Sequence, residues 1–217
     1  MLVSLIMPTL NRFDDIYIFM ESLLEQTYKN FELIIVDQND NDKVKEIADK
    51  YVDRLDIKYI KSDKKGLSYN RNIGIDAAQG KILAFPDDDC AYKPDTIEKA
   101  INFFEKNNEY KIYSCKTMDF NEVDTFKQMH NGICDINSLN VMDTITSITF
   151  FVLFEDRNYL KFDERLGVGG EFGAGEEVDY ILELLSRGYK GRYFGDDIIY
   201  HPAKKHSKSK EKYQRDN

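Results

Sequence analysis

Three aspartates stand side by side in this chain, directly after a short apolar run. Asp87, Asp88 and Asp89 follow residues 81–85, whose sequence KILAF is typical of a buried strand. Adjacent carboxylates repel one another, and the hard cations Mg²⁺ and Mn²⁺ take oxygen ligands. The triplet therefore indicates a site in which one carboxylate binds a cation and another accepts from a ribose hydroxyl. The alternative is an acidic turn that precedes the helix near Pro94.

A second acidic pair, Glu176 and Glu177, follows the glycine-rich segment 167–175 and opens a predicted helix. The positive end of a helix dipole stabilises negative charge, so a carboxylate there stays ionised and can act as a general base. Adjacent helical positions point about 100° apart, so one of the two is expected to face a site. Simple complementarity with the helix dipole is the alternative.

Three further residues have types that suit a nucleotide or a metal. Asp37 ends an apolar run and could accept a hydrogen bond from a nucleobase. Arg71, early in a predicted helix, suits phosphate contacts. His201 follows a β-prone run, and neutral imidazole can bind Mn²⁺ or contact a diphosphate. The plainer alternatives are a turn aspartate, a surface arginine and a surface histidine.

Alternating strands and helices position these residues in the first half of the chain. The hydrophobic patterns predict strands over 2–7, 31–36, 56–60 and 81–85, and helices over 14–27, 42–52 and 67–80. Ser68 is the predicted N-cap of the third helix and Gly80 its stop. Such alternation predicts a mainly parallel sheet that binds ligands at the carboxyl ends of its strands. Pro8, Thr9 and Asn11 would then lie at the same edge as the acids.

The second half of the chain is less regular. We predict helices over 94–107 and 176–188, a strand over 110–115, and a β-prone stretch over 145–154. Residues 119–143 are polar and weakly patterned, which indicates a loop-rich insertion. Residues 204–217 form a basic, polar tail.

Composition narrows the function classes. A formal net charge of −9 argues against nucleic-acid binding. Three cysteines without paired spacing favour a reducing compartment and give no zinc site. No signal peptide or membrane span is visible, so a cytoplasmic location is expected, and a peripheral place at the inner face of the membrane stays open.

Taken together, the motifs resemble the family 2 glycosyltransferases of the GT-A fold, in particular those of bacterial polysaccharide or capsule biosynthesis. The resemblance rests on IMPTLNR, ELIIVDQND, GLSYNRNIGIDAAQGKILAFPDDDCAY, FDERLGVGGEFGAGEEVDYILELLSRGYK and YHP, which occur in the expected order. It implies an α/β, Rossmann-like fold with a mainly parallel sheet flanked by helices. The expected single catalytic domain covers 1–203, with a nucleotide-sugar half over 1–92 and an acceptor-side half over 93–203.

The resemblance also implies roles for individual residues. Nucleotide binding would fall to Pro8, Thr9, Asn11, Arg12, Asp37, Arg71, Asp87 and Asp88, and metal binding to Asp89, with Asp87 and His201. Glu177 of the Glu176–Glu177 pair would be the catalytic base, where relatives more often have aspartate. Gln38 stands where many relatives carry a second aspartate.

The implied reaction is the inverting transfer of a sugar from a nucleotide-diphosphate donor, UDP-linked, to a hydroxyl of a saccharide or lipid-linked saccharide. Mn²⁺ or Mg²⁺ would assist, and residues 167–175 would close over the donor. Two alternatives remain: a nucleotidyltransferase that makes sugar nucleotides, disfavoured because PTLNRFDD lacks glycine, and a non-catalytic nucleotide-sugar-binding module. The sequence gives no oligomeric state.

Overall fold

The computed structural model describes residues 1–122 and 128–202. Within these ranges lie nine strands: β1 Val3–Thr9, β2 Phe31–Asp37, β3 Ile57–Lys61, β4 Ile82–Ala84, β5 Ala91–Tyr92, β6 Tyr110–Met118, β7 Ile133–Ile136, β8 Phe150–Leu153 and β9 Lys190–Tyr200. The α-helices of the same ranges are α1 Ile16–Leu24, α2 Lys43–Ala48, α3 Leu67–Ala77, α4 Thr96–Lys106, α5 Val141–Thr144 and α6 Glu176–Ser186. The predicted tail, 204–217, lies outside the described residues.

All nine strands join one sheet in the order β3-β2-β1-β4-β8-β6-β9-β5, with β7 also paired to β9. Strands β1 to β4 pair in parallel, as the alternation of strands and helices predicts. Beyond β4 the sheet is mixed: β8 is antiparallel to both β4 and β6, while β6 and β9 are parallel. An antiparallel neighbour needs no helical crossover, which explains why the second half lacks a regular alternation.

Strands β1 and β2 are buried at every position, because helices cover both faces of this part of the sheet. Successive side chains of β1 enter different cores: Leu5 and Met7 lie in one, and Ile6 in the other. Helix α1 packs into the first core, and helices α3 and α6 contribute to the second. The two helices that carry the predicted arginine and the acidic pair therefore share one face of the sheet.

The predicted N-cap of helix α3 was wrong, although the helix starts where the pattern predicts. The helix begins at Leu67, and Ser68 lies inside it rather than at its N-cap. The Ser68 hydroxyl instead donates to the carbonyl of Leu166 at 2.7 Å. A serine near a helix start usually caps that helix, but here a distant segment supplies a better acceptor.

Strand β9 was missed by the sequence patterns, apart from its β-prone end. Its sequence KGRYFGDDIIY contains two glycines and two acids, which weaken the strand signal. The strand is nevertheless held in the sheet by β6 on one side and by β5 and β7 on the other. Its end brings His201 to the edge where β4 ends, and the His201 amide donates to Met118 at 2.9 Å.

Gly80 lies against the first strand so closely that no side chain fits. A Cβ at this position would lie 2.6 Å from the Leu2 carbonyl oxygen and 2.8 Å from the Ser4 nitrogen, both backbone atoms. Gly80→Ala is therefore expected to lower the free energy of unfolding by about 1–3 kcal/mol in urea denaturation. The matched control is Gly173→Ala, where a Cβ meets nothing within 4 Å. Equal stability of the two variants would contradict this packing.

Candidate functional site

The carboxyl ends of β1, β2 and β4 gather the predicted residues at one edge of the sheet. Thr9 and Asp37 lie opposite each other in the β1–β2 register. The Thr9 hydroxyl donates to Asp88 Oδ2 at 2.6 Å, which links the end of β1 to the segment that follows β4. The triplet is thus part of this edge of the sheet and not a remote surface turn.

Each aspartate of the triplet has its own partners. Asp88 accepts from Thr9 and lies 3.6 Å from Arg12 Nε. Asp89 accepts from the Arg12 guanidinium through Oδ2, and its Oδ1 lies 3.1 Å from His201 Nε2. Asp87 lies 3.9 Å from the same imidazole nitrogen. The imidazole of His201 therefore sits between two carboxylates of the triplet.

Asp87, Asp89 and His201 each offer one ligand atom, and these atoms lie within 4.8 Å of one another. Two carboxylate oxygens and one imidazole nitrogen suit Mn²⁺, and the oxygens also suit Mg²⁺. The donor set therefore fits a divalent cation of the kind that the sequence predicts.

The surroundings shift the pKa values of the neighbouring carboxylates Asp88 and Asp89 in opposite directions. Burial raises the pKa of Asp88 to about 7, against the hydrogen bond from Thr9 and the charge of Arg12. Burial also acts to raise the pKa of Asp89, but the hydrogen bond and charge of His201 outweigh it and leave that pKa below its usual value. Asp89 is therefore the more firmly ionised of the two and the better cation ligand.

Arg71 of α3 connects the triplet to the start of α6. Its side chain is fully buried; Nη1 lies 3.1 Å from Glu176 Oε1, and Nη2 lies 3.5 Å from Asp87 Oδ1. The guanidinium carbon lies 5.3 Å from the centre of the Phe162 ring. The sequence resemblance places Arg71 in the nucleotide pocket; in this structure it lies beneath the acids and binds two of them.

The two acids at the start of α6 differ in burial. Glu176 is buried and turned towards Arg71, whereas Glu177 is half-buried. Gly167 adopts φ 88°, and a Cβ there would lie 3.2 Å from the Glu176 carboxylate. A glycine at that position thus gives Glu176 the space to reach Arg71. Glu177 remains the candidate for the catalytic base.

Asp37 is fully buried, and its carboxylate already has four donors. Oδ1 accepts from the backbone and side-chain nitrogens of Asn39, at 2.9 and 2.6 Å. Oδ2 accepts from the Tyr59 hydroxyl at 2.6 Å and from Lys61 Nζ at 3.2 Å. Two carboxylate oxygens have about four acceptor sites, so contact with a nucleobase N–H requires one of these donors to leave. That contact stays a prediction.

The remaining predicted residues lie around the end of β1. Pro8 is buried within the strand and faces Val36 in the register. Asn11 has φ 59°, and its amide donates to Asn39 Oδ1 at 2.7 Å. Arg12 follows it in the same loop. The structure therefore brings Pro8, Asn11 and Arg12 to the same edge as the triplet.

Sequence reasoning missed how α3 binds the segment that leads to α6. The Asn72 side chain donates to the Phe162 carbonyl at 2.9 Å and accepts from the Phe162 amide at 2.8 Å. The Leu67 amide donates to the Val168 carbonyl at 2.9 Å. The available signal was the polar sequence of α3, whose buried residues include Ser68, Asn70, Arg71 and Asn72. Buried polar side chains need partners, and for Ser68, Arg71 and Asn72 at least one of these lies in residues 162–176.

The bridge made by Arg71 can be tested by its removal. Arg71→Met leaves Glu176 and Asp87 without their shared cation and is expected to lower the free energy of unfolding by about 3–5 kcal/mol. Urea denaturation measures the change. The control is Arg187→Met, which removes an exposed pair with Glu183 and is expected to cost less than about 1 kcal/mol. Similar losses in the two variants would contradict the bridging role.

Across the described ranges, 1–122 and 128–202, no helix combines the length and the apolar character needed to cross a membrane.

Sequence comparisons place this site among known proteins. Residues 4–171 match the model of the family described as Glycosyl transferase family 2. The putative teichuronic acid biosynthesis glycosyltransferase TuaG of Bacillus subtilis is 31% identical over 131 residues, 58% of this chain and 52% of that protein. The UDP-Glc:alpha-D-GlcNAc-diphosphoundecaprenol beta-1,3-glucosyltransferase WfaP of Escherichia coli is 36% identical over 113 residues, 52% of this chain and 45% of that protein. The chain thus spans about half the length of these two relatives.

Solved structures show the same fold. TarS 1–349 of S. aureus in complex with UDP-GlcNAc superposes with a TM-score of 0.75 at 21% identity, over 95% of this chain and 60% of that chain. The mannosyltransferase PcManGT of Pyrobaculum calidifontis, in complex with GDP-Man and Mn²⁺, gives 0.71 at 16% identity, over 94% and 58%. The GT-A-like α/β fold predicted from the sequence is thereby confirmed. Because the family model covers well over half of its residues, this chain belongs to glycosyl transferase family 2.

Proposed function

We propose that this chain carries the active site of a metal-dependent, inverting glycosyltransferase that uses a nucleotide-diphosphate sugar. One observation carries the proposal: the cluster of Asp87, Asp89 and His201 is joined through Arg71 to the start of α6. This link supports a candidate cation site and, next to Glu176 at the start of α6, a candidate base, Glu177. A sugar transferase needs both, because one assists the leaving group and the other activates the acceptor.

Family membership and named relatives support the choice of donor. The WfaP name specifies UDP-Glc, and TarS was solved with UDP-GlcNAc, so we propose a UDP-linked sugar as the donor. Thr9, Asn11 and Arg12 lie at the end of β1, beside the triplet, where the nucleotide would lie. In this arrangement Asp88 is the carboxylate that accepts from a ribose hydroxyl.

Asp89, Asp87 and His201 are the residues that would hold the cation, and PcManGT, which shares the fold, was solved with Mn²⁺. A bound Mn²⁺ or Mg²⁺ supplies a Lewis acid that offsets the negative charge on a departing diphosphate. Asp89 contributes because it stays ionised. Arg71 contributes indirectly, since it keeps Asp87 and Glu176 in place despite their like charges.

Glu177 is proposed to take the proton from the acceptor hydroxyl. It lies in the first turn of α6, where the helix dipole favours the ionised carboxylate. Removal of the proton makes the oxygen a better nucleophile for the anomeric carbon. Attack opposite to the departing diphosphate is a single displacement and inverts the anomeric configuration.

For the acceptor we propose a saccharide or lipid-linked saccharide in bacterial polysaccharide biosynthesis. The support is the name of WfaP, whose acceptor is a diphosphoundecaprenol-linked sugar, and the teichuronic acid role printed for TuaG. Such an acceptor would place the chain at the cytoplasmic face of the membrane.

Donor class and metal requirement can be tested together in a thermal-shift panel of UDP, GDP, dTDP and CDP, each with and without Mn²⁺. UDP with Mn²⁺ is expected to stabilise the protein, by about 2.7 kcal/mol at a concentration of 100 times Kd, and UDP alone to do so less. A response to every nucleotide or to none would contradict the proposed donor site. Consumption of a nucleoside triphosphate with release of pyrophosphate would instead identify a nucleotidyltransferase.

Two variants separate cation binding from base catalysis. Asp89→Asn is expected to abolish the Mn²⁺-dependent stabilisation by UDP, because it removes the ionised ligand. Glu177→Gln is expected to keep that stabilisation but to lower release of UDP from the donor by about 100-fold or more, since general-base catalysis contributes about 10²–10⁴-fold. Full turnover in Glu177→Gln would remove the base assignment.

The matched control on the same helix is Glu183→Gln, an exposed residue paired with Arg187. It is expected to keep both UDP binding and turnover. Donor binding without any turnover in the unaltered protein would identify a binding module instead of an enzyme.

A further inference from the structure

Arg12 makes contacts that a surface arginine does not need. Its guanidinium binds Asp89 Oδ2, and its Nε lies 3.6 Å from Asp88 Oδ1. The two aspartate side chains are only 9% and 4% exposed, whereas the Arg12 side chain is 46% exposed. The arginine therefore enters the acidic site from the solvent side.

The acids of the site need positive charge nearby. Asp87, Asp88, Asp89 and Glu176 lie together, with Arg71 below them, Arg12 above and the imidazole of His201 beside Asp89. Arg71 cannot leave, because it is fully buried in α3. Arg12 can leave, since it lies in the exposed loop after β1 and has a further acid, Asp15, 3.7 Å away. Of these two arginines, Arg12 is the exchangeable one.

The two carboxylate oxygens of Asp89 face different partners, Arg12 on one side and His201 on the other. Oδ2 binds Arg12, and Oδ1 faces His201, with which Asp89 and Asp87 form the candidate cation site. A guanidinium on one oxygen of a carboxylate lies within a few ångströms of a cation on the other, and like charges at that distance repel. Arg12 therefore stabilises the triplet without metal and opposes the binding of metal.

We propose that Arg12 is the counter-ion of the acidic triplet in the metal-free protein and competes with the divalent cation for Asp89. It thereby lowers metal affinity and ties metal binding to a movement of the loop after β1. The proposal rests on the proposed function, because it assumes that Asp87, Asp89 and His201 bind the cation. Once released from Asp89, the guanidinium lies at the end of β1, where the nucleotide is proposed to bind, and can bind its phosphates.

The test compares Arg12→Gln with the unaltered protein in the absence of nucleotide. Free Mn²⁺ is measured by electron paramagnetic resonance during titration, and the melting temperature is measured after chelation. Arg12→Gln is expected to bind Mn²⁺ about tenfold more tightly, because the competing charge is gone. The metal-free melting temperature is expected to fall by about 2–4 °C, because the carboxylates lose a counter-ion.

Arg12→Lys keeps the charge, so its Mn²⁺ affinity and its metal-free melting temperature are expected to lie close to those of the unaltered protein. Arg187→Gln, at the exposed C-cap of α6, is the control for loss of a positive charge elsewhere and is expected to change neither quantity. A purely structural role for Arg12 gives a different result: Arg12→Gln would then lower the melting temperature and weaken Mn²⁺ binding as well.

Unchanged or weaker Mn²⁺ binding in Arg12→Gln, with normal binding in the unaltered protein, overturns the competition and leaves the proposed function standing. Absence of Mn²⁺ binding in the unaltered protein overturns the competition and the proposed metal site together. Mn²⁺ binding by the unaltered protein therefore distinguishes failure of the competition from failure of the proposed metal site.

Discussion

The candidate site depends on one buried positive charge, the guanidinium of Arg71. Arg71 has no exposed surface, and it lies between Glu176 of α6 and Asp87 of the triplet. Carboxylates brought together away from water repel each other and lose hydration, so a buried acidic edge is unstable without a fixed positive charge. A guanidinium suits this place because it stays charged and offers several donors in a planar array. The two halves of the proposed active site are joined through this contact.

Helix α3 holds the Arg71 guanidinium in this position. Its apolar Ile75 lies in the second core, while its buried Ser68 and Asn72 bind the backbone of Leu166 and Phe162. The same helix therefore fixes Arg71 and the segment that leads into α6. Gly167 and the glycine N-cap at Gly175 let the chain approach Arg71 closely and turn into the helix. The position of Glu177 thus follows from contacts made by its neighbours.

Local patterns predicted much of the fold. Strands β1 to β4 and helices α1 to α3 follow from hydrophobic periodicity, because each pattern lies within one contiguous segment. Strand β9 did not follow: its Gly191 is held between β6 and β7, and its Gly195, Asp196 and Asp197 fall where the β6–β9 register shifts. Ser68 was assigned to a cap because its real acceptor, Leu166, is 98 residues away in sequence. The edge that collects the site residues could be predicted from the topology; their partners could not.

The sequence by itself determined that acids follow a buried strand, that a second acidic pair opens a helix, and that parallel strands place Asp37 and the triplet near one edge. Only the tertiary structure decided which acid has which partner. Arg71 and Glu176 are 105 residues apart, and Arg12 and Asp89 are 77 apart. Asp37 resembles a base-contacting residue in sequence, yet folding surrounds it with four donors. The reason is physical: a residue type fixes what a side chain can bind, and packing fixes what comes within hydrogen-bonding distance.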